Sequence, residues 1–306
     1  MKLLVTGAAC FSQQQLDILK DSFGFDVVLQ KDERGAPETD FSKVDAAVLN
    51  GLFLYHGIDE FEKLKFIQLT SVGFDRVPLD KINEKGISLY NARGVYSVPM
   101  AEFALAGVLN LYKNANGFYE NKKKHLWQKN RQIRELCGST VCVVGCGSVG
   151  TECAKRFKAF GTRVIGVDLY KPSADTYDAY YDIKSIKDAL SVSNVIVITL
   201  PLTQETKGLF NEGMLLSCRQ GAVIVNISRG PVLDENALCD LIESGHIGGA
   251  VLDVFETEPL NENSRLWNYD NVIITPHNSF VSDKNNDRLF ELCCNNLKGF
   301  LKEENK

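Results

Sequence analysis

The stretch Val141–Gly150 reads V-C-V-V-G-C-G-S-V-G. Val141–Val144 predicts a short buried strand, and Gly145, Gly147 and Gly150 follow it at the spacing G-x-G-x-x-G. Thr151–Phe160 has helical composition, and a second apolar run, Arg163–Val167, leads to Asp168, 18 residues past Gly150. The glycine spacing alone is weak. Flanked by a strand, a helix and a terminal acid, it describes a dinucleotide-binding βαβ unit. Gly145 permits the tight turn, Gly147 lets the backbone approach a pyrophosphate, and Gly150 lets helix and strand pack closely. The N–H groups near Ser148 and Val149 would face the phosphates at the positive end of the helix. Asp168 is expected to accept hydrogen bonds from the adenosine ribose and to repel the extra phosphate of NADP. NAD is therefore the expected cofactor. Thr6–Ala8 (T-G-A) lacks the later glycines and reads as a plain strand end.

Outward from this unit, apolar β-branched runs alternate with segments of helical period, which predicts parallel α/β architecture. One strand series is expected at Lys2–Thr6, Asp26–Gln30, Ala46–Asn50, Phe66–Thr70 and Ile87–Asn91. A second is expected at Val141–Val144, Arg163–Val167, Val195–Leu200, Ala222–Ile227, Gly249–Asp253 and Val272–Thr275. Between them Val98–Asn121 reads as one long helix with Pro99 in its first turn, followed by a solvated arm to Glu135. A last helix is expected from Ser282 to Leu301, with a frayed charged tail at Lys302–Lys306. Two doubly wound parallel-sheet domains follow from this pattern.

Composition limits the function classes. The 306 residues carry 34 Lys+Arg against 39 Asp+Glu, a net charge of −5, which offers no footprint for nucleic acid or an anionic membrane. No apolar run approaches the roughly 20 residues that span a bilayer. Met1–Cys10 (MKLLVTGAAC) has too short an apolar stretch for an export signal and reads as a buried first strand. The nine cysteines are odd in number and contain no C-x-x-C pair, which argues against a disulfide framework or a zinc ribbon and fits a reduced cytoplasmic protein. No metal is expected.

Four polar residues fall past the ends of three predicted strands, the edge where doubly wound sheets bind ligands. Arg229 follows Ala222–Ile227, Asp253 and Glu258 lie in V-L-D-V-F-E-T-E-P, and His277 lies in I-T-P-H-N-S-F. The motifs N-I-S-R-G, D-V-F-E-T-E-P and T-P-H in this order, with Pro201–Thr206 (P-L-T-Q-E-T), resemble the D-isomer-specific 2-hydroxyacid dehydrogenases. The resemblance runs from about Phe66 to Phe280, while the first sixty residues match only in layout. Thr199 stands where the family usually has a His before P-L-T.

The resemblance implies a Rossmann NAD-binding domain, 99–279, inserted into a flavodoxin-like substrate domain formed by 1–98 and the returning helix in 280–306. The crossings near Pro99 and Phe280 would form a hinge. The implied reaction interconverts a 2-oxo acid and a D-2-hydroxy acid. Arg229 would bind the carboxylate and polarise the carbonyl, and His277 would act as acid and base, with Glu258 orienting it and favouring its charged form. Asp253 would hold the nicotinamide amide. Pro201, Thr206, Ile227, Arg229, His277 and Met100 would line the cofactor. Val72 and Gly73, in T-S-V-G-F-D, would grip the substrate carboxylate through their N–H groups.

Leu52, in N-G-L-F-L-Y, is expected to meet the substrate side chain. No Lys or Arg occurs between Lys43 and Lys63, so a non-phosphorylated small-molecule acid is expected. Glu258 occupies the place held by Gln in the formate dehydrogenase branch. The extra C-terminal regulatory module of many serine-pathway relatives is not expected here. His56, His125 and His246 are expected at surfaces or interfaces. Gly117–Leu136, with Trp127, is expected to embrace a second copy and form a homodimer through the cofactor domains. The alternative is a non-catalytic NAD(H)-sensing protein on the same scaffold.

Overall fold

The computed structural model describes residues 1–172 and 175–304. In chain order the elements are β1 (Lys2–Thr6), α1 (Gln13–Asp21), β2 (Asp26–Gln30), β3 (Ala46–Leu49), β4 (Phe66–Leu69), α2 (Leu79–Glu84), β5 (Ser88–Tyr90), α3 (Ser97–Tyr112), α4 (Ala115–Lys123), β6 (Thr140–Val144), α5 (Ser148–Ala159), β7 (Arg163–Asp168), β8 (Ala179–Asp182), α6 (Ile186–Ser191), β9 (Val195–Ile198), α7 (Glu212–Leu215), β10 (Ala222–Asn226), α8 (Glu235–Glu243), β11 (Ile247–Leu252), β12 (Val272–Ile274) and α9 (Asn285–Glu304). They divide into two compact units, Met1–Tyr96 with Ser282–Lys306, and Ser97–Val281.

The first unit holds a parallel five-stranded sheet in the order β2-β1-β3-β4-β5. Alternate residues supply its two faces. Leu3, Val5, Ala46 and Val48 pack with Leu19, Leu297 and Phe300 on one side, and Leu4, Ala47, Leu49 and Ile67 with Phe41, Phe61 and Ile82 on the other. The second unit holds a parallel seven-stranded sheet in the order β12-β11-β10-β9-β6-β7-β8. Val143, Val197, Val225 and Val251 face α3 and α5, while Cys142, Ile196, Ile224 and Ala250 face the opposite layer. Both faces are covered, so the strands read as apolar runs without alternation. Each fully buried Val or Ile contributes about 1.5–3 kcal/mol relative to exposure. Strand order reverses between β6 and β9, which opens the ligand-binding crevice of a doubly wound sheet at their carboxyl ends.

Several boundaries differ from expectation. The long helix over Val98–Asn121 is two helices, because Asn114 takes φ +53° and ends the first ladder; Asn tolerates this left-handed conformation better than most residues. β8 is a seventh strand that the sequence did not suggest: A-Y-Y-D is half-exposed at the sheet edge and lacks the apolar signature of the interior strands. Several strands stop short of their expected ends, leaving Asn50, Thr70, Asn91, Ile227, Asp253 and Thr275 as loop residues. The expected frayed tail is helical through Glu304, whose carboxylate pairs with Lys65, while Asn305 and Lys306 lie outside the described residues. Among the described residues no helix is long and apolar enough to cross a membrane.

Candidate active site

The glycine loop sits at the reversal point of the second sheet. Gly145 has φ +101°, and a Cβ there would come within 2.9 Å of the Thr199 carbonyl. A Cβ on Gly150 would meet the Gly145 oxygen at 1.9 Å, so α5 can start only if this position is glycine. Thr199, at the family's usual His position, donates its hydroxyl to the Gly145 carbonyl at 2.7 Å and joins the β9 edge to the glycine turn. A Cβ on Gly147, by contrast, would meet no protein atom within 4 Å, which leaves the space that a pyrophosphate needs in front of the Ser148–Val149 helix start.

Asp168 ends β7 with its carboxylate on this loop. Its Oδ2 accepts from the Cys146 N–H at 2.6 Å and its Oδ1 from the Leu169 N–H at 2.7 Å. Each oxygen keeps a lone pair for a ribose hydroxyl. Burial pushes the neighbouring Cys146 thiol up to about 11, so it adds no negative charge beside Asp168 near neutral pH. Donor set and space together fit a dinucleotide. Pro201 is exposed, and its carbonyl accepts from the Thr206 hydroxyl at 2.7 Å, which closes the P-L-T-Q-E-T loop. Met100 is half-buried against the α3–α5 core, and Ile227 is buried at the end of β10.

Three loops at the other half of the sheet edge carry the polar groups. Arg229 follows β10 with its guanidinium exposed, and Nη1 donates to the Ser228 carbonyl at 2.7 Å. Buried Asn226 shapes this turn, accepting from the Ser228 N–H and hydroxyl and donating to the Arg229 carbonyl. The next residue must be glycine, since a Cβ on Gly230 would lie 1.8 Å from the Phe255 carbonyl carbon. That contact packs N-I-S-R-G against D-V-F-E-T-E-P. In the second loop Glu258 Oε1 accepts from the Phe255 N–H at 3.1 Å, and Oε2 lies 2.9 Å from His277 Nδ1. His277 takes φ +50°, its N–H donates to the Asp253 carbonyl at 2.8 Å, and its ring meets Phe280 edge-on. Among the described residues His277 Nε2 has no partner in the protein.

Two of the expected site residues are buried. Asp253 is fully buried; Oδ1 accepts from the Thr275 hydroxyl and the Asn278 N–H at 2.7 Å, and Oδ2 from the Ser279 N–H at 2.9 Å. Its carboxylate braces the turn that presents His277. Leu52, expected against substrate, is also fully buried, because the tight turn after β3 directs it into the first unit's core. Leu54 and Tyr55 are the exposed apolar groups of that loop.

Residues distant in sequence shape the same loop. Glu33 accepts from the N–H groups of Asn50 and Gly51 at 2.7 Å each and from the Thr6 hydroxyl. Arg34 lies 5.8 Å from the Tyr55 ring centre, and the Arg76 stem passes beside Gly51, so a cation-free segment in sequence is not cation-free in space. Single carboxylates or arginines outside a motif carry no sequence signal for such contacts. Val72 is exposed and Gly73 half-exposed on the loop after β4. Of the remaining histidines His125 is exposed, but His56 packs edge-on against Phe41 and His246 is half-buried, so neither is a plain surface residue.

Comparison with known proteins identifies the family. The family described as D-isomer specific 2-hydroxyacid dehydrogenase, NAD binding domain, matches residues 105–279. The chain is 34% identical over 254 residues to a hydroxypyruvate reductase of Thermotoga maritima, covering 81% of each protein. It is 32% identical over 268 residues to a glyoxylate reductase of Thermofilum pendens, covering 86% of this chain and 76% of that one. The solved D-lactate dehydrogenase of Aquifex aeolicus, complexed with NAD and lactic acid, superposes with a TM-score of 0.75 at 27% identity, covering 98% of this chain and 96% of that one. The chain belongs to the D-isomer specific 2-hydroxyacid dehydrogenase family and is an NAD-dependent oxidoreductase of 2-hydroxy acids.

Proposed function

We propose that the protein reduces a small, non-phosphorylated 2-oxo acid to the D-2-hydroxy acid, with Arg229, His277 and Glu258 as its catalytic groups. The observation that carries this reading is the His277–Glu258 pair at 2.9 Å, with Nε2 left over for a ligand. When bound, NADH supplies the hydride. Arg229 binds the substrate carboxylate and draws electron density from the carbonyl. His277 delivers a proton from Nε2 to the carbonyl oxygen, and removes it in the reverse direction. Glu258 fixes the ring through Nδ1 and compensates its charge. In the first unit, Val72 and Gly73 are the proposed substrate contacts, through their N–H groups. Gly147, Ser148, Val149 and Asp168 are the proposed contacts to the dinucleotide, with Pro201, Thr206, Ile227 and Met100 along its length.

The substrate class rests on the loop after β3. Its exposed side chains are Leu54 and Tyr55, Arg34 already faces the Tyr55 ring, and Arg76 lies beside Asp75. The reductases among the relatives act on acids of this size. NADH absorbance, followed against glyoxylate, hydroxypyruvate, pyruvate, 2-oxoisocaproate, phenylpyruvate and 3-phosphohydroxypyruvate, tests the reading. Turnover of a small acid that falls at least about 10²-fold in His277→Ala, with NADH still bound, is the expected result. Strong preference for the phosphorylated acid would overturn the substrate class, and full activity of the variant would overturn the proton donor.

We further propose a homodimer formed through the 117–136 segment, where Phe118, Tyr119, Leu126, Trp127 and Ile133 are exposed. A reducing, cytoplasmic setting is proposed from the nine free cysteines. Recovery of a disulfide-linked chain from cells would contradict it.

A further inference from the structure

The Thr70 N–H donates to the Leu49 carbonyl at 2.9 Å, but the carbonyls of the loop Thr70–Gly73 are held from the β5 side. The Thr70 carbonyl accepts from the Tyr96 hydroxyl, and the Ser71 carbonyl from the Ala92 N–H at 2.9 Å. The Val72 carbonyl accepts from Asn91 Nδ2 at 2.8 Å, while Asn91 Oδ1 accepts from the Arg93 N–H at 3.2 Å. Three successive carbonyls are thus tied to the single segment Asn91–Tyr96. A trans peptide is planar, with its C=O and the following N–H pointing in opposite directions. Tying those carbonyls therefore turns the N–H groups of Ser71, Val72 and Gly73 to the far side of the loop. Among the described residues none of the three finds an acceptor in the protein. Val72 is exposed and its two neighbours half-exposed, so the row of donors is accessible. Backbone donors are ordinarily paired, and a consecutive row left unpaired is the arrangement that binds an anion.

We infer that Tyr96 and Asn91 are positioning residues for the substrate carboxylate, holding the peptide planes of Thr70–Gly73 so that the N–H groups of Ser71, Val72 and Gly73 form its cradle. This rests on the proposed 2-oxo acid chemistry and deepens it. Neither side chain touches the anion; both act through carbonyls on the opposite side of the loop. Burial raises the Tyr96 hydroxyl above the usual tyrosine range, so it remains a donor throughout the pH range of an assay.

The test uses the full chain saturated with NADH and titrated with oxamate, a carboxylate-bearing mimic of a 2-oxo acid, with backbone amides followed by NMR. In the unaltered protein the Ser71, Val72 and Gly73 amide signals shift on titration. In Tyr96→Phe, which keeps the ring and loses the hydroxyl, oxamate affinity falls and KM for the best 2-oxo acid rises, each on the order of tenfold, the equivalent of about 1.4 kcal/mol. The kcat and NADH affinity stay within about twofold, a split that general loosening of the fold would not produce. Asn91→Ala gives the same split through the Val72 plane, and carries the test if Tyr96→Phe fails to fold. Unchanged KM and oxamate affinity in a folded variant overturn the inference. So do amides of the unaltered protein that ignore oxamate while a 2-oxo acid is turned over. Absence of any turnover instead counts against the proposed reaction, and the amide shifts still decide whether the cradle binds a carboxylate.

Discussion

Glu258 has two oxygens with different partners, the Phe255 N–H at 3.1 Å and His277 Nδ1 at 2.9 Å, and this asymmetry makes a sharp prediction. In Glu258→Gln only the amide oxygen can accept from Phe255, so the NH₂ group must face His277. Nδ1 would then have to accept, and the imidazolium form would lose its compensating charge. Expected is a fall in kcat of at least about 10²-fold in both directions, within the range of general acid–base help, with NADH affinity unchanged. Kinetics at saturating NADH check this, and a kcat within threefold of the unaltered protein would remove Glu258 from the proposed mechanism. At this scale the motifs are legible because Arg229, Glu258 and His277 stand beside residues with fixed backbone duties. Asp253 is in the same motif, yet its burial and its three donors from 275–279 could not be read from one sequence. Leu52 misleads for a related reason: L-F-L-Y offers four large side chains, and only the turn geometry decides which of them point inward.

At the scale of elements, α3 and α9 make a controlled pair. Gly107 lies within α3, where an added Cβ would come within 2.5 Å of a Val251 methyl on β11, whereas a Cβ on Gly299 in α9 would meet nothing within 4 Å. Glycine-to-alanine substitution inside a helix gains about 0.5–1 kcal/mol in propensity. Overpacking a close-packed interior costs about 1–3 kcal/mol. Gly299→Ala is therefore expected to raise stability and Gly107→Ala to lower it, with opposite shifts in denaturant midpoint at constant slope. A rise in both would mean that Val251 gives way. The helix itself was legible from its Ala- and Leu-rich composition, but not its end at Asn114, because a polar residue in a helical stretch signals nothing until its φ of +53° is known. The strands of both sheets were legible for the opposite reason: burial on two faces leaves an unbroken apolar run, and β8, lacking that burial, left no such trace.

For the molecule as a whole, the exposed apolar groups of the 117–136 segment call for an explanation. Trp127 is 100% exposed and Leu126 50%, in a chain whose net charge of −5 is too small to oppose self-association strongly. A fully exposed Trp beside further apolar side chains marks an interaction surface more often than chance, and Trp is among the residues that dominate interface energetics. Light scattering is expected to give twice the mass of one chain. Because neither Trp127 nor Leu126 supports the chain's own core, the double substitution Leu126→Asp with Trp127→Asp should leave the fold intact and put four like charges across a symmetric contact. The variant is expected to become monomeric, with little change in the circular dichroism of the folded chain. A monomeric unaltered protein would end the dimer proposal. A variant that stays dimeric would keep the dimer and move its interface off this segment.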